Sequence, residues 1–566
     1  MEKRWVIQKH DHQAAKGLAA RLDVQPLIAA LLIARGFDTV ETATKFLNPA
    51  YEDLLEPFLL KGMEQAVQRI LAAIERKEKI LIWGDYDVDG TTGTALLRYV
   101  FEKLGLESSF HIPDRFSEGY GVNIDGLRNA MAEGATLAIT VDCGIRSFEP
   151  LQWAAENGLD VIVTDHHLSD EVRGNPPAFA VVNPNQPGCE YPDKHLAGVG
   201  VAFKLAHALL RERGFSDEIN GLLKIAAIGT VADIMQLTGE NRSIVALGLR
   251  DLRLTKNYGL KALMEVADCT SEMTSLHIGF RIAPRINAAG RMDVGRHVVE
   301  LLETKDFGEA RRLASMLDAR NRERQKVQQQ ITELALTQSV EFEGSNFIVL
   351  DGEGWHRGVI GLAASRIAEK LFRPTIVLSV ENGVAHGSAR SIADFHLLEA
   401  LDSCSHLLEQ YGGHAAAAGM KIRSENIDEV RRKLNEYAAS KFSGEKPEPV
   451  LKIDANVASD SLTLTLVEQI AQLEPFGAGN TKPIFVTRDL TISDEPFVMK
   501  DKHLKLRLVN AAGKRFEAVW WDGVDRSKGR TLHTGNSIEV AYTLEANSWQ
   551  GNTRLQLVVE DLREHN

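Results

Sequence analysis

The sequence is short of cysteine. It has four in 566 residues, Cys143, Cys189, Cys269 and Cys404, far apart and without CxxC spacing. That excludes a disulfide-stapled secreted fold and a zinc module, and it fits a reducing compartment. Also missing is any apolar run near the roughly 20 residues that span a bilayer, so no membrane segment is expected. The opening MEKRWVIQKHDHQ carries charges but no apolar stretch of the secretory type, and a cytoplasmic location is the expectation. Positive charge is scarce as well: 65 Lys and Arg face 78 Asp and Glu, a net charge of -13. A polyanionic partner is normally held by basic surface, so this balance speaks against one unless the basic residues are concentrated locally and some acids bind cations. Hydrophobic residues at 44% and charged residues at 25% are those of a folded protein, and the length calls for three or four cores.

The stretch that organises the chain is ILIWGDYDVDGTTGT, residues 80–94. Ile80 to Trp83 read as a buried strand that runs into Asp85, Asp87, Asp89 and Gly90, with a helical segment from Ala95 to Leu104. A calcium loop of the EF-hand type matches these first positions, but its twelfth, a bidentate Glu, is here Leu96, and a strand rather than a helix precedes it. From about 79 to 240 strands and helices alternate, with strands at Lys79–Trp83, Ser108–Ile112, Thr136–Val141, Val161–Thr164 and Phe179–Val182. This is the pattern of a parallel sheet with helices on both faces. Asp142 ends one strand, Asp165-His166-His167 ends another, and Asp233 closes an apolar segment further on. Two carboxylates about 4 Å apart repel by roughly 4 kcal/mol at an effective dielectric near 20, so several in one cleft oppose folding unless cations neutralise them. Oxygen ligands with imidazole suit Mn²⁺ or Mg²⁺, and a pair of such ions is the usual arrangement for displacement at phosphorus.

In order, DYDVDG, the VDCG around Asp142, DHH at 165–167 and GTVAD ending at Asp233 resemble the four motifs of the DHH phosphoesterase superfamily. GGHAAAAG at 412–419 resembles the glycine-rich motif of the DHH-associated domain, and with HIPDRFSEGYG the whole chain is similar to the bacterial single-strand-specific exonucleases of that superfamily. The resemblance implies metal ligation by Asp87, Asp89, Asp142, His166 and Asp233, and places His167 against the scissile phosphate or a metal, with Asp165 and Asp85 beside it in the catalytic set. The superfamily's small phosphoesterases have a histidine slightly earlier in the first motif, in the neighbourhood of Trp83 here, so either Asp85 substitutes as a ligand or one metal is held differently. The implied activity is metal-dependent 5′-to-3′ hydrolysis of single-stranded DNA to mononucleotides, with two Mn²⁺ or Mg²⁺ ions, in recombination and repair. Implied partners are a single-stranded-DNA-binding protein and a repair helicase, and a monomer is expected.

The implied architecture is α/β and multidomain. It comprises an N-terminal helical extension (1–75), the DHH parallel-sheet domain (76–300), a long connecting helix (301–340), a DHH-associated α/β domain (341–450) and a C-terminal OB-fold barrel (451–566). Arg285, Asn287, Gly290 and Arg291 form a compact set suited to gripping phosphates; a structural Arg paired with a core carboxylate is the lesser alternative, and the resemblance implies substrate contact. Residues 306–337 have helical spacing with a basic middle, DARNRERQK, either a solvated face or a rigid connector lining a DNA path. Ser388, Arg390, Gly413 and His414, with Arg115, are candidates for a terminal-phosphate pocket built from backbone N–H groups. In the barrel, Lys500, Lys502, Lys505 and Arg507 are interleaved with Trp520, Trp521 and Trp549, as in proteins that stack single strands. Two rival readings remain: a phosphodiesterase for small nucleotides, which would need neither barrel nor long helix, and a non-catalytic scaffold, which would not need the ligands.

Overall fold

A computed structural model describes residues 3–564 apart from 115–117, 120, 270–271, 292–294, 444–446, 529, 531 and 550. Arg115 and the side chains of Arg291 and Trp549 lie outside the described residues. After a short β1 (Arg4–Ile7), the apolar runs of the first α/β unit become β2 (Lys79–Gly84), β3 (Ser108–His111), β4 (Ala135–Val141), β5 (Asp160–Thr164) and β6 (Ala180–Val182). All are parallel, in the order β3-β2-β4-β5-β6. Alternate residues of β2 serve different cores. Ile80 and Ile82 pack under the helices Val88–Lys103 and Gly198–Glu212, whereas Leu81 and Trp83 face Leu127 and Leu151 on the opposite side. A strand buried on both faces reads as a continuous apolar run for this reason. The chain moves outward from β2 to β3 and then returns to β4 on the other side, so the crevice at the carboxyl ends of β2 and β4 is the sheet's topological switch point.

The 33-residue helix Phe307–Ser339 starts at Asp306, whose carboxylate caps Glu309 N at 2.7 Å. Its Leu313 and Leu317 are buried in the first core, and its Ile331 and Ala335 in the core of the next unit, so one rigid rod is shared by two domains. That next unit holds β7 (Ile348–Glu353), β8 (Thr375–Glu381), β9 (Val384–Arg390), β10 (Leu408–Gly413) and β11 (Ala417–Arg423), in the order β10-β11-β9-β8-β7. The remaining strands are β12 (Val450–Ile453), β13 (Ala455–Asn456), β14 (Phe485–Ile492), β15 (Phe497–Met499), β16 (His503–Val509), β17 (Arg515–Trp520), β18 (Ser537–Trp549) and β19 (Asn552–Glu564). Apart from β12 they run β13-β14-β18-β19-β17-β16-β15, and the pairs Thr491↔Val509 and Ile492↔Leu508 bring β16 back against β14, the return expected of a small barrel.

The N-terminal residues divide between two domains. β1 pairs in parallel with β12, and Ile28, Leu31, Leu32 and Phe46 are buried in the barrel core. The helix Met63–Arg76 instead packs its Met63, Val67 and Ile70 into the core of the first sheet. These short helices share only a small cluster of their own, around Leu18, Ala19 and Ala29, and otherwise complete their neighbours' cores. No single helix among the described residues is long and apolar enough to cross a membrane.

Barrel and first domain are joined through Arg242, which is 3% exposed. Its guanidinium donates to Phe46 O at 2.8 Å, Leu473 O at 3.0 Å and Glu474 O at 2.8 Å, and lies 3.5 Å from the Phe46 ring centroid. Nearby, Leu237 N donates to Ala478 O at 2.7 Å. Arg242→Met would take a donor from three carbonyls, of which Leu473 O keeps its bond from Asn480 Nδ2, with an expected loss of about 2–4 kcal/mol. Thermal unfolding and limited proteolysis check this: the melt should fall and the barrel become easier to cleave away, and a variant unchanged in both would show that Arg242 is not the clasp.

Candidate metal centre

Each ligand-type side chain reaches the switch point by a different local device. Asp85 follows β2 directly, its N–H donating to Val141 O at 3.1 Å. Asp87 is the N-cap of the helix Val88–Lys103 and accepts from Asp89 N at 2.9 Å and Gly90 N at 3.1 Å. The helix therefore begins earlier than its apolar spacing indicated, and Asp89 stands in its first turn. Asp89, 1% exposed, accepts from Gly198 N at 2.6 Å and Val199 N at 2.7 Å, at the positive end of the helix Gly198–Glu212. Asp142 follows β4 with φ +62°, a left-handed conformation that Asp tolerates. Asp233 caps the C-terminus of the helix Leu223–Ala232, so it comes from a helix end and not from the sheet.

These side chains converge. His166 Nε2 lies 3.1 Å from Asp142 Oδ1, 3.5 Å from Asp233 Oδ2 and 3.8 Å from Asp89 Oδ2. Although Asp142 and His166 approach to hydrogen-bond distance, they lack the alignment of one. Asp142 Oδ1, His166 Nε2 and Asp233 Oδ2 are buried without a hydrogen bond among the described residues. Three triads have ligand atoms close enough to share an ion: Asp85/Asp87/Asp142, Asp89/His166/Asp233 and Asp142/His166/His167. The first two share no residue and are linked by the Asp142–His166 contact, so the donor set fits two adjacent hard cations. Buried carboxylates left without donors are groups that a cation would satisfy.

Electrostatics assigns different duties. Burial, with Asp233 and Asp87 nearby, raises Asp89 well above the usual carboxylate range. Burial and the neighbouring Asp89 do the same to Asp142. Burial and Asp87 push Asp233 up to about 7. His166 is lowered to about 4 by burial and by His167, and so presents a neutral ring. Burial disfavours the His167 cation too, but the hydrogen bond and charge of Asp165 overcome it and raise His167 to about 9. Asp165 differs from the other acids. Its Oδ1 accepts from His166 N, His167 N and His167 Nδ1 at 2.7, 3.1 and 2.7 Å, and its Oδ2 from Ile145 N at 2.9 Å. Burial would raise its pKa, yet the His167 hydrogen bond holds it below the usual range. Both oxygens are engaged, so Asp165 orients His167 and fixes the turn.

Two glycines, Gly198 and Gly290, bring these elements together. A Cβ on Gly198 would lie 2.5 Å from Asp142 Cβ, and one on Gly290 would lie 2.3 Å from Tyr86 O. Gly290 thus lets the helix Ala283–Arg291 touch the DYDVDG turn. On that helix Arg285 is corrected from the phosphate-gripping set. It donates to Asp318 at 2.9 Å and to the carbonyls of Arg281 and Val266 at 2.6 and 3.0 Å, a structural brace against the long helix. Asn287 is half-buried one turn before Gly290.

Further along, Ser388, Arg390 and Gly413 line one groove of about 690 Å³ in the second sheet, and His414, exposed, is outside its lining. Arg390 Nη1 donates to Ser388 Oγ at 3.1 Å. Arg357, His386 and Lys421 line the same groove and were missed, because single residues from a helix start and two strands carry no local motif. In the barrel Trp520 is fully buried and belongs to the core, while Trp521 is 52% exposed. Lys502 and Lys505 pair with Asp522 and Glu517 at 3.1 and 3.0 Å. Arg507 lines a separate groove of about 740 Å³ together with Lys514, Arg515 and Arg554.

Fold and site together define a DHH-type domain followed by its associated domain. A model of the DHH family N-terminal domain matches residues 79–230, the DHHA1 domain matches 344–440, and the RecJ OB domain matches 453–561. A Bacillus subtilis protein named single-stranded-DNA-specific exonuclease RecJ is 40% identical over 564 residues, covering 99% of this chain and 70% of that one. A crystal structure of RecJ in complex with Mn²⁺ from Thermus thermophilus superposes with a TM-score of 0.85 at 31% identity, covering 100% of this chain and 80% of that one. The corresponding Mg²⁺ complex gives 0.79 at 29% identity, covering 100% and 79%. The chain belongs to the RecJ family.

Raised carboxylate pKa values mean that the metal-free fold holds its protons more tightly than the unfolded chain does. For Asp233 that contribution is complete below 3.8 and is lost as pH rises through about 7. Asp142→Asn keeps a left-handed-tolerant residue and removes one charge. Without metal, the variant should melt higher than the parent at pH 8 and lose less stability between pH 5 and pH 8. Mn²⁺ should raise the parent's melting temperature by several degrees and leave the variant nearly unmoved. Differential scanning fluorimetry with and without chelator measures both, and a variant that melts lower without metal would contradict the repulsion.

Proposed function

We propose that the chain is a metal-dependent exonuclease that hydrolyses single-stranded DNA from the 5′ end to mononucleotides. The observation that carries this reading is the meeting of two ligand triads at one sheet edge, joined through Asp142 and His166, in a chain whose relatives bear the name single-stranded-DNA-specific exonuclease. Asp85, Asp87 and Asp142 would hold one ion, and Asp89, His166 and Asp233 the other. Mn²⁺ or Mg²⁺ in these positions supplies an activated water and neutralises charge on the phosphate oxygens.

His166 stays neutral at physiological pH and keeps a lone pair for ligation. His167 is held as a cation by Asp165 through Nδ1 and stands beside the ligand cluster, where a positive charge would face a bound phosphate. An oriented, already charged donor needs no reorganisation as charge develops. In the second sheet, Arg390 and Ser388 beside the first turn of the helix Arg357–Leu371 form an anion pocket suited to a terminal 5′-phosphate. Gly361 permits this, since a Cβ there would lie 2.9 Å from Ser388 Oγ. Only a free end can fill such a pocket, which accounts for exonuclease action. The basic barrel groove would hold the unpaired strand, whereas a small nucleotide would use neither groove nor barrel. We place the domain limits at 1–75, 76–300, 301–340, 341–450 and 451–566, and read the enzyme as a monomer. A single-stranded-DNA-binding protein and a repair helicase, partners the resemblance implies, would supply the unwound end.

The test is a single strand labelled at either end, incubated with Mn²⁺ or Mg²⁺ beside the same sequence as duplex and as RNA. Immediate release of a 5′-labelled mononucleotide, with duplex and RNA intact, is the expected result; turnover of short oligonucleotides alone would favour the small-nucleotide reading. His167→Gln should lower kcat by about 10²–10⁴ while Mn²⁺ still raises the melting temperature. Arg390→Ala should raise the KM of a 5′-phosphorylated strand about tenfold and erase its advantage over a 5′-hydroxyl strand.

A further inference from the structure

Thirteen non-glycine residues among those described have positive φ, and Ile234, at +57°, is the β-branched one. A branched side chain in the left-handed region crowds its own backbone, and such a residue persists when something holds it there. Its setting is a helix end. Ile234 N donates to Val231 O at 3.2 Å and Met235 N to Thr230 O at 3.2 Å, the paired bonds of a Schellman motif that closes the helix Leu223–Ala232. At this position glycine is the residue that fits without strain. Nor is the isoleucine there for packing, because it is 75% exposed. A residue that breaks a local rule without gaining burial is a candidate for function.

Its location says which function. Ile234 follows Asp233, whose carboxylate is 3.5 Å from His166 Nε2 in the metal centre. Leu237, three residues on, is bonded to Ala478 of the barrel unit. The strained residue thus stands on the stretch that runs from the metal centre to the barrel. Leu168, directly after His167, is likewise apolar and 61% exposed. Exposed aliphatic residues that directly follow two residues of a charged centre match a nucleotide, whose phosphate is ionic and whose base and deoxyribose are apolar on their faces.

We infer that Ile234 is a substrate-contact residue, an aliphatic wedge against the unpaired base of a nucleotide flanking the scissile phosphate. This rests on the reading of the chain as a single-strand exonuclease. The side chain would seat a base of any sequence, because each base offers a flat face, and a base still paired in a duplex would not be free to take that seat. The strained backbone projects the wedge outward, and a glycine there would relax the helix end at the cost of the contact.

The experiment compares the Mn²⁺-loaded parent with Ile234→Gly and Ile234→Val on a 5′-phosphorylated single strand and on the same strand with its first two nucleotides abasic. The glycine variant should melt at or above the parent, yet lose about tenfold in kcat/KM on the normal strand. The valine variant should keep most of the activity. On the abasic strand parent and glycine variant should be equal, since the base that Ile234 meets is gone. Equal activity of the glycine variant on the normal strand would overturn the inference and leave the exonuclease reading intact. So would a glycine variant that melts well below the parent, which would make Ile234 a structural residue. A parent inert on both strands would instead remove the reading on which the inference depends.

Discussion

Like charges sharing one cleft constrain this structure more than any other interaction. Asp89, Asp142 and Asp233 are gathered around a neutral imidazole, with Asp85 and Asp87 against them, at a point largely shielded from water. Coulomb repulsion at such spacing is worth several kcal/mol per pair in a medium of intermediate dielectric. The arrangement holds because the surrounding fold donates wherever it can. Backbone N–H groups at a helix start donate to both oxygens of Asp89, and Asp87 accepts from the first-turn N–H groups of the helix it caps. Asp165, saturated by four donors, is held below the usual carboxylate range, and it uses its charge to hold His167 as a cation. What remains unsatisfied, on Asp142, His166 and Asp233, is the donor set left for metal.

This electrostatic demand accounts for the backbone around it. Helices can aim their N-termini at the centre only by approaching it closely, which is why glycine stands at 198, where any Cβ would collide with Asp142. The two left-handed residues at the site, Asp142 and Ile234, are the costs of turning a strand end and a helix end so that a carboxylate faces inward. Such departures from easy geometry gather where chemistry is done and are carried by the packed core behind them.

Beyond the centre, the long helix makes geometry communicable. Because Leu313 and Leu317 belong to one core and Ile331 and Ala335 to another, the groove of the second sheet is joined to the metal centre through a single helix. The barrel is fixed from the other side by Arg242 and by N-terminal helices buried in its core. The proposed end pocket would need to sit at a constant spacing from the ligands, and the long helix would provide it.

Much of this could be read from the chain itself. Period and motif are local, so the five strands of the first sheet, the strand-end acids and the glycine-rich turn of the second domain lay in plain view, as did the 33-residue helix to within a few positions. Three things did not. Arg285 looked like a phosphate grip, but an arginine's partner is chosen by what packs against it, here Asp318 from a helix 33 residues away. Trp520 and Trp521 are adjacent and alike in sequence, and only the barrel's closure puts one in the core and the other in solvent. Asp233 was expected among the ligands, but the apolar segment before it could have been a strand, and only the fold shows that a helix end delivers it. The sequence by itself determined which residue types can bind metal and which segments are strand or helix, because these follow from side-chain chemistry and periodicity over a few residues. Which oxygens are left without donors, which cations are already paired and which apolar side chains stay exposed were decided by tertiary structure alone, because each depends on groups that meet from distant parts of the chain.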